Sequence, residues 1–107
     1  MNEHLKNIVK KLLLDAQDDY VGLWQIVARL SNISAPPSGD YLRQSTLLIV
    51  AQLLDHGVVA GQLIAGGGFE QWMAQDSISV LKRIEREWKE LGGKPEIGDI
   101  CWFNLVK

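Results

Sequence analysis

The residues of this chain that could support catalysis or bind a metal are two histidines, one cysteine and one pair of adjacent aspartates. His4 and His56 lie far apart in the sequence, and neither has a cysteine or carboxylate at the spacing that a metal site needs. The sequence therefore predicts no metal site. We interpret His56 as a side chain that interacts favourably with the C-terminal end of a helix.

Cys101 lies in an apolar segment beside Trp102 and Phe103. A cysteine in such a segment behaves as a small hydrophobic residue, and burial raises the pKa of its thiol, so we expect an inert side chain rather than a nucleophile. Asp18 and Asp19 form either an acid/base pair or a helix cap, and the cap requires less strain. We therefore predict no catalytic residue.

A glycine-rich stretch runs from Gly61 to Gly68. A phosphate-binding loop would be followed by Lys-Ser or Lys-Thr at the start of a helix, and neither follows here. The stretch is interpreted as the turn of a β-hairpin, and no cofactor is predicted.

The four tryptophans are the least ordinary feature of the composition. Trp24 and Trp88 fall on inward-facing helical stripes and are predicted to be core residues. Trp72, beside the glycine turn, either folds back over the core or is exposed as an anchor for a protein partner. The candidate partner-binding residues are Phe69, Glu70, Trp72 and Met73.

The overall composition indicates one soluble domain covering residues 1–107. The 47% apolar and 22% charged residues are typical of a globular protein, and no apolar run approaches the ~20 residues that cross a bilayer. The N-terminus lacks the pattern of a signal peptide, and a single cysteine excludes an internal disulfide, so we expect a cytoplasmic protein without membrane contact. The formal charge of −2 disfavours nucleic acid and is compatible with a basic protein partner.

Apolar periodicity predicts four helices. The first spans 3–16 and the second 20–31, followed by a proline-containing loop over 31–40. The third, over 41–57, is apolar nearly all round, so we expect it to be buried, with Asp40 as its N-cap and Gly57 at its end. The fourth begins after Asp76 or Ser77 and ends at Gly92. Its predicted inward stripe consists of Ile78, Leu81, Ile84, Trp88 and Leu91, and its outer face is predicted to carry the ion pairs Arg83–Glu87, Arg86–Glu90 and Glu85–Lys89.

The remaining apolar segments predict a small antiparallel sheet. Strands are expected near 58–64 and 100–106, paired with each other, and a short hairpin partner is plausible at 69–73. In the last strand, alternation places Cys101, Phe103 and Leu105 on one face. The predicted fold class is α+β, mainly helical, with about four helices.

This order of elements resembles a winged helix-turn-helix domain. The segment Leu-Leu-Asp-His-Gly-Val-Val at 53–59 is similar to the passage from the third helix into the first wing strand of that family. Residues 87–103 resemble a pattern of small uncharacterised bacterial proteins, E-W-x-x-L-G-x-x-P-x-x-G-D-I-x-W-F. The resemblance implies a winged-helix-like fold over about residues 5–74.

The resemblance also implies a possible DNA site, because the third helix of winged-helix proteins enters the major groove. In this chain that helix offers Arg43 and Gln44, and the fourth helix offers Lys82, Arg86 and Lys89 as phosphate contacts. Interleaved glutamates make an ordinary solvated face the alternative for these three.

Two hypotheses follow from the sequence. The leading one is a small non-enzymatic protein–protein interaction module, monomeric or homodimeric, with an immunity or antitoxin-type protein as its particular form. The alternative is a winged-helix DNA-binding regulator. An exposed apolar patch near Phe69 would favour the first, and a continuous positive surface would favour the second.

Overall fold

The computed structural model describes residues 3–31 and 39–105, and these form four helices and a four-stranded antiparallel sheet. The predicted class, α+β and mainly helical, is confirmed. The elements in chain order are α1 (Glu3–Asp18), β1 (Val21–Gly22), α2 (Leu23–Ser31), α3 (Gly39–Asp55), β2 (Val58–Leu63), β3 (Phe69–Gln71), α4 (Ser77–Leu91) and β4 (Trp102–Leu105). Most of the predicted loop and the last residue of the predicted closing strand, at position 106, lie outside the described residues.

The sheet has the strand order β1-β4-β2-β3. The predicted pairing of the closing strand with β2 is confirmed, with Phe103 opposite Ala60 and Trp102 opposite Gly61. The predicted hairpin partner is also present, as β3 pairs with β2 and places Phe69 opposite Leu63. All three predicted strands are shorter than expected.

The first edge strand, β1, was not predicted. Val21 and Gly22 were assigned to the start of a helix, but they pair with Phe103 and Trp102 of β4. The backbone N–H of Leu23 then donates to the carbonyl of Cys101, 3.1 Å away, so the sheet holds the start of α2. The prediction that either Asp18 or Asp19 caps the second helix is wrong, because α1 continues to Asp18 and the Asp19 carboxylate accepts from the N–H of Tyr20.

Strand alternation gives the sheet an inner and an outer face. The inner row contains Val21, Phe103 and Ala60, which are all buried. The outer row contains Gly22, Trp102 and Gly61, which the same pairing places side by side. The core therefore lies on one side of the sheet, where α1 packs on β1 and β4 and α3 packs on β2.

Helix α3 is less buried than its composition predicted. Ile49, Val50 and Leu53 are buried in the core, but Leu48 is 54% exposed. Asp40 is not an N-cap, because the helix already includes Gly39 and the Asp40 carboxylate pairs with Arg43 at 3.1 Å. The predicted role of Gly57 at the C-terminal end is confirmed, since it has a φ of 88° two residues after Asp55, the last residue of the helix.

Helix α4 has both predicted caps. The Asp76 carboxylate accepts from the N–H of Ser79 at 3.0 Å, and Gly92 adopts the left-handed conformation with its N–H donating to the Trp88 carbonyl. The predicted ion pairs Arg83–Glu87, Arg86–Glu90 and Glu85–Lys89 are all present.

The predicted inward stripe of α4 is partly wrong. Ile84 and Trp88 are buried, but Val80 completes the buried row, and Ile78 and Leu91 are exposed. The residues at 80, 84 and 88 are four apart, so they lie on one face of the helix, and Ile78 is offset from that face.

Candidate partner-binding surface

The structure buries Trp72, which was a candidate exposed anchor. Its side chain is 6% exposed, so the alternative in which it folds over the core is the observed one. The N–H of Trp72 donates to the Ala60 carbonyl at 2.9 Å, and the amide group of Gln75 bonds both Ala60 and the Trp72 carbonyl. These bonds fix the segment after β3 against β2.

An arginine covers the ring of Trp72. The guanidinium carbon of Arg83 lies 3.9 Å from the ring centroid, a cation–π contact, and Arg83 Nε donates to the Glu87 carboxylate at 2.7 Å. The indole Nε1–H of Trp72 is buried and has no hydrogen-bond partner among the described residues. Trp72 therefore stabilises the protein through packing in the core and through the contact of its π face with Arg83.

Cys101 lies on the buried side of β4, with 1% of its surface exposed. Burial raises the pKa of its thiol well above the ordinary range, and the charge of Glu87 raises it further, while Arg83 acts in the opposite direction. At neutral pH the side chain is a thiol inside the core, in agreement with its expected character.

The other three candidate residues of the hairpin reach the surface. Met73 is fully exposed, Glu70 is exposed and Phe69 is half-buried. Leu63 and Ile64, which precede the turn, are also exposed. Within the turn, Gly66 and Gly67 have φ values near 90°, a backbone conformation that favours glycine. We call Leu63, Ile64, Phe69 and Met73 the hairpin patch.

The outer face of the sheet carries aromatic side chains. The ring of Tyr20 stacks on that of Phe69, with centroids 5.3 Å apart and an interplanar angle of 11°. Trp102 and Trp24 are both half-buried, so Trp24 is less buried than the sequence predicted. The Nε1–H of Trp24 has no hydrogen-bond partner among the described residues.

Two glycines make room for these rings. A Cβ atom on Gly61 would lie 2.8 Å from Cζ of Phe69, and one on Gly22 would lie 2.6 Å from Nε1 of Trp24 and 3.2 Å from the Trp102 ring. The aromatic rings therefore lie close against the backbone of the sheet. We call Tyr20, Trp24, Phe69 and Trp102 the aromatic face.

A shallow depression of about 260 Å³ adjoins the aromatic face. It is lined by Ala16, Gln17, Asp18, Asp19, Tyr20 and Asn104. Asp18 and Asp19 are both exposed. Asn104 lies on the outer side of β4, two residues after Trp102, so the depression continues from the aromatic face.

The candidate DNA-binding residues are distributed over two places. Arg43 and Lys89 line a cleft of about 430 Å³ together with Lys94, Asp40 and other residues at the start of α3 and the end of α4. Gln44 instead lines an apolar groove of about 330 Å³ with Leu47, Leu48, Ala51 and Leu81. Lys82 and Arg86 are exposed on α4, where Arg86 pairs with Glu90.

The histidines lie in different environments. His4 is exposed on α1. Nδ1 of His56 lies 2.8 Å from the carbonyl oxygen of Gln52, which places the imidazole at the C-terminal end of α3, where the sequence predicted it. Within residues 3–31 and 39–105, no three His, Cys, Asp or Glu side chains are grouped so that they could hold a metal ion. None of the described helices is long and apolar enough to span a bilayer.

Comparison with known proteins found no match: no protein-family model, curated protein or solved structure matches the chain.

Sequence reasoning missed Tyr20 and Trp102 as surface residues. The signal for Trp102 was its alternation with Cys101 and Phe103, which placed it on the opposite face of β4. The same alternation separates Trp72 from Phe69 and Met73, so these three side chains could not have formed one surface on a regular strand. Tyr20 carried no such signal, because β1 is only two residues long.

Proposed function

We propose that the protein is a non-enzymatic protein–protein interaction module that binds its partner through the hairpin patch and the adjoining aromatic face. The observation that carries this proposal is the exposure of Leu63, Ile64 and Met73 along one hairpin. Exposed apolar side chains that cluster on a small protein mark interaction sites more often than scattered ones do. An immunity or antitoxin role is the particular form of this proposal, and it rests on size and mild acidity.

A winged-helix-like architecture is part of the same proposal. The described order of helix, strand, two helices and a two-stranded hairpin supports it, with β2 and β3 as the wing. The wing would then serve as the protein-binding element rather than as a DNA contact.

The experiment is capture of partners from the host lysate with wild-type protein, a Met73→Ser variant and a Leu14→Ser variant. Leu14 is an exposed apolar residue of α1, so its replacement controls for the loss of any surface apolar group. We expect one protein captured by wild type and by Leu14→Ser, and lost with Met73→Ser. Equal capture by wild type and both variants, or capture of no protein, would contradict the proposal. Trp72→Ala is unsuitable here, because Trp72 is a core residue.

DNA binding is the second candidate, and the cleft shared by Arg43, Lys89 and Lys94 supports it. Contacts between Lys or Arg and phosphates release counterions, so the affinity for duplex DNA should then fall steeply with salt. A Lys89→Gln variant should reduce that salt dependence, whereas Lys6→Gln on α1 should not. Asp40 and Glu85 pair with Arg43 and Lys89, which weakens this candidate.

A further inference from the structure

The outer face of the sheet is built from segments that carry carboxylates and no cationic side chain. The sequence has no Lys or Arg between Leu12 and Ala28, between Gln44 and Leu81, or between Pro95 and Val106, and these three stretches supply all four strands. The cationic residues lie elsewhere, mainly on α1 and α4. The strands therefore bring no Lys or Arg to the outer face of the sheet, whereas Asp18 and Asp19 lie beside it. Near the same end of α1, Lys11 and Arg29 both pair with Asp15.

The solvent-facing side of the sheet combines this acidic character with π surfaces. Tyr20 belongs both to the stack with Phe69 and to the lining of the depression that contains Asp18 and Asp19. The described pairing of the Asp19 carboxylate is with the adjacent N–H of Tyr20, at 2.7 Å. A cation in the depression would thus meet an aromatic ring and two carboxylates at once.

The protein already contains this combination elsewhere. Arg83 lies over the ring of Trp72 and donates to the carboxylate of Glu87, so a guanidinium there is held by one π face and one anion. Guanidinium suits such a site better than ammonium, because it is planar, stacks on rings and donates to a carboxylate through two parallel N–H groups. Tyr20 with Asp18 and Asp19 supplies the ring and the anions of an equivalent site.

We infer that the aromatic face and the depression beside it bind an arginine-bearing extended segment of a partner protein, with a guanidinium over Tyr20 and between Asp18 and Asp19. This inference rests on the proposed protein-binding function and adds the chemistry of the partner. The acidic, aromatic surface complements a cationic chain in charge, and it repels the phosphates of a nucleic acid. The hairpin patch adjoins this surface through Phe69, so a segment seated there contacts both.

The test is an NMR titration of the ¹⁵N-labelled protein with the acetylated peptide Gly-Arg-Gly-Arg-Gly-Arg-Gly-Arg-Gly. Matched peptides carry citrulline or glutamate in place of every arginine, since citrulline keeps the shape of arginine and removes its charge. We expect saturable shifts for the amides of Tyr20, Phe69 and Asn104 and for the indole of Trp102, with the indole of Trp88 unmoved. The citrulline and glutamate peptides should bind at least about tenfold more weakly.

Variants place the binding site. Asp18→Asn with Asp19→Asn should weaken the arginine peptide by about tenfold or more, because both anions are lost while the oxygen that accepts from Tyr20 N–H is kept. Tyr20→Leu should weaken it by a few-fold, because the apolar bulk remains and the π face does not. Glu85→Gln with Glu90→Gln makes the same change in net charge on α4 and should alter the affinity by less than about twofold.

Four results would overturn the inference: no shifts, shifts confined to α3 and α4, equal binding of the citrulline peptide, or shifts of the aromatic face by the oligonucleotide dT8. The last would indicate base stacking on this face in place of arginine recognition. These outcomes leave the proposed function open to its own test, because capture of a partner that depends on Met73 would still show protein binding without arginine recognition.

Discussion

The two faces of the sheet show how the same strands present two different environments. Neighbouring residues of β4 have opposite surroundings: Phe103 is fully buried against the helices, whereas Trp102 is half-buried beside Trp24. The inner face is closed by side-chain packing. On the outer face, Gly22 and Gly61 let aromatic rings lie against the backbone while water still reaches them. Residue type alone therefore does not separate the aromatic residues that are fully buried from those that reach the surface.

The largest expected difference is between the two neighbours on β4. Phe103→Ala should lower the free energy of unfolding by about 3–5 kcal/mol, because it opens a cavity in the core. Trp102→Ala should cost less, roughly 1–3 kcal/mol, because part of its side chain is already exposed to water. Urea denaturation of the two variants measures both values. Equal losses would show that the outer face is as closed as the inner one.

Trp72 tests whether a buried ring next to the hairpin is structural. Trp72→Ala should cost about 3–5 kcal/mol of stability, whereas Trp72→Phe should cost less than about 1.5 kcal/mol. Phenylalanine keeps a ring beneath Arg83, and the indole N–H that it removes has no described hydrogen-bond partner. Chemical denaturation distinguishes the two variants. A large loss for Trp72→Phe would indicate that the N–H makes a bond of its own.

Gly61 tests how closely β2 and β3 must approach each other. Gly61→Ala should destabilise the protein by about 1–3 kcal/mol, since its Cβ would clash with the backbone carbonyl oxygen of Glu70 and would lie 2.9 Å from Cα of Gln71 and 2.8 Å from the Phe69 ring. Gly68→Ala is the matched control, because its Cβ would meet only the flexible side chain of Ile64 at 3.2 Å. Thermal denaturation compares the two. An unchanged Tm for Gly61→Ala would mean that β2 and β3 can move apart with no loss of stability.

The smallest expected effect is at Asp76, the exposed N-cap of α4. The N–H of Ser79 donates to its carboxylate and lowers the pKa of Asp76. A lowered folded-state pKa adds stability above the unfolded pKa near ~4, and this addition is lost as the pH falls through the lowered value. The difference in Tm between wild type and Asp76→Ala should therefore be largest at neutral pH and should decrease at acidic pH.

Asp76→Asn is the control for the charge. Asparagine keeps an oxygen that can cap the helix and does not titrate, so its difference in Tm from Asp76→Ala should be nearly constant with pH. If the difference in Tm between wild type and Asp76→Ala instead stays constant as the pH falls, the carboxylate charge contributes nothing to the cap.

Local chemistry and periodicity determined much of the fold. Four helices, the hairpin, the caps at Asp76 and Gly92 and the pairing of the closing strand with β2 were predictable, because each depends on residues close together in sequence or on a strong two-residue alternation. The burial of Cys101 followed in the same way from its apolar neighbours.

Long-range contacts decided the rest. β1 exists because β4 pairs with it, and two residues have no periodicity to reveal a strand. The exposure of Leu48 and Ile78 and the burial of Val80 depend on how α3 and α4 pack, which an apolar composition does not specify. Of the predicted partner-binding residues, Phe69, Glu70 and Met73 reach the surface, and Trp72 does not.

The sequence by itself determined the four helices and three of the four strands, and it determined that the strand-forming stretches contain no Lys or Arg. Only the tertiary structure brought Tyr20, which follows Asp18 and Asp19 in the chain, onto Phe69. The physical reason is that β4 lies between β1 and β2 in the sheet, so side chains about 50 residues apart in the chain share one face. No local pattern contains that information, because the pairing energy comes from strands that meet only after folding.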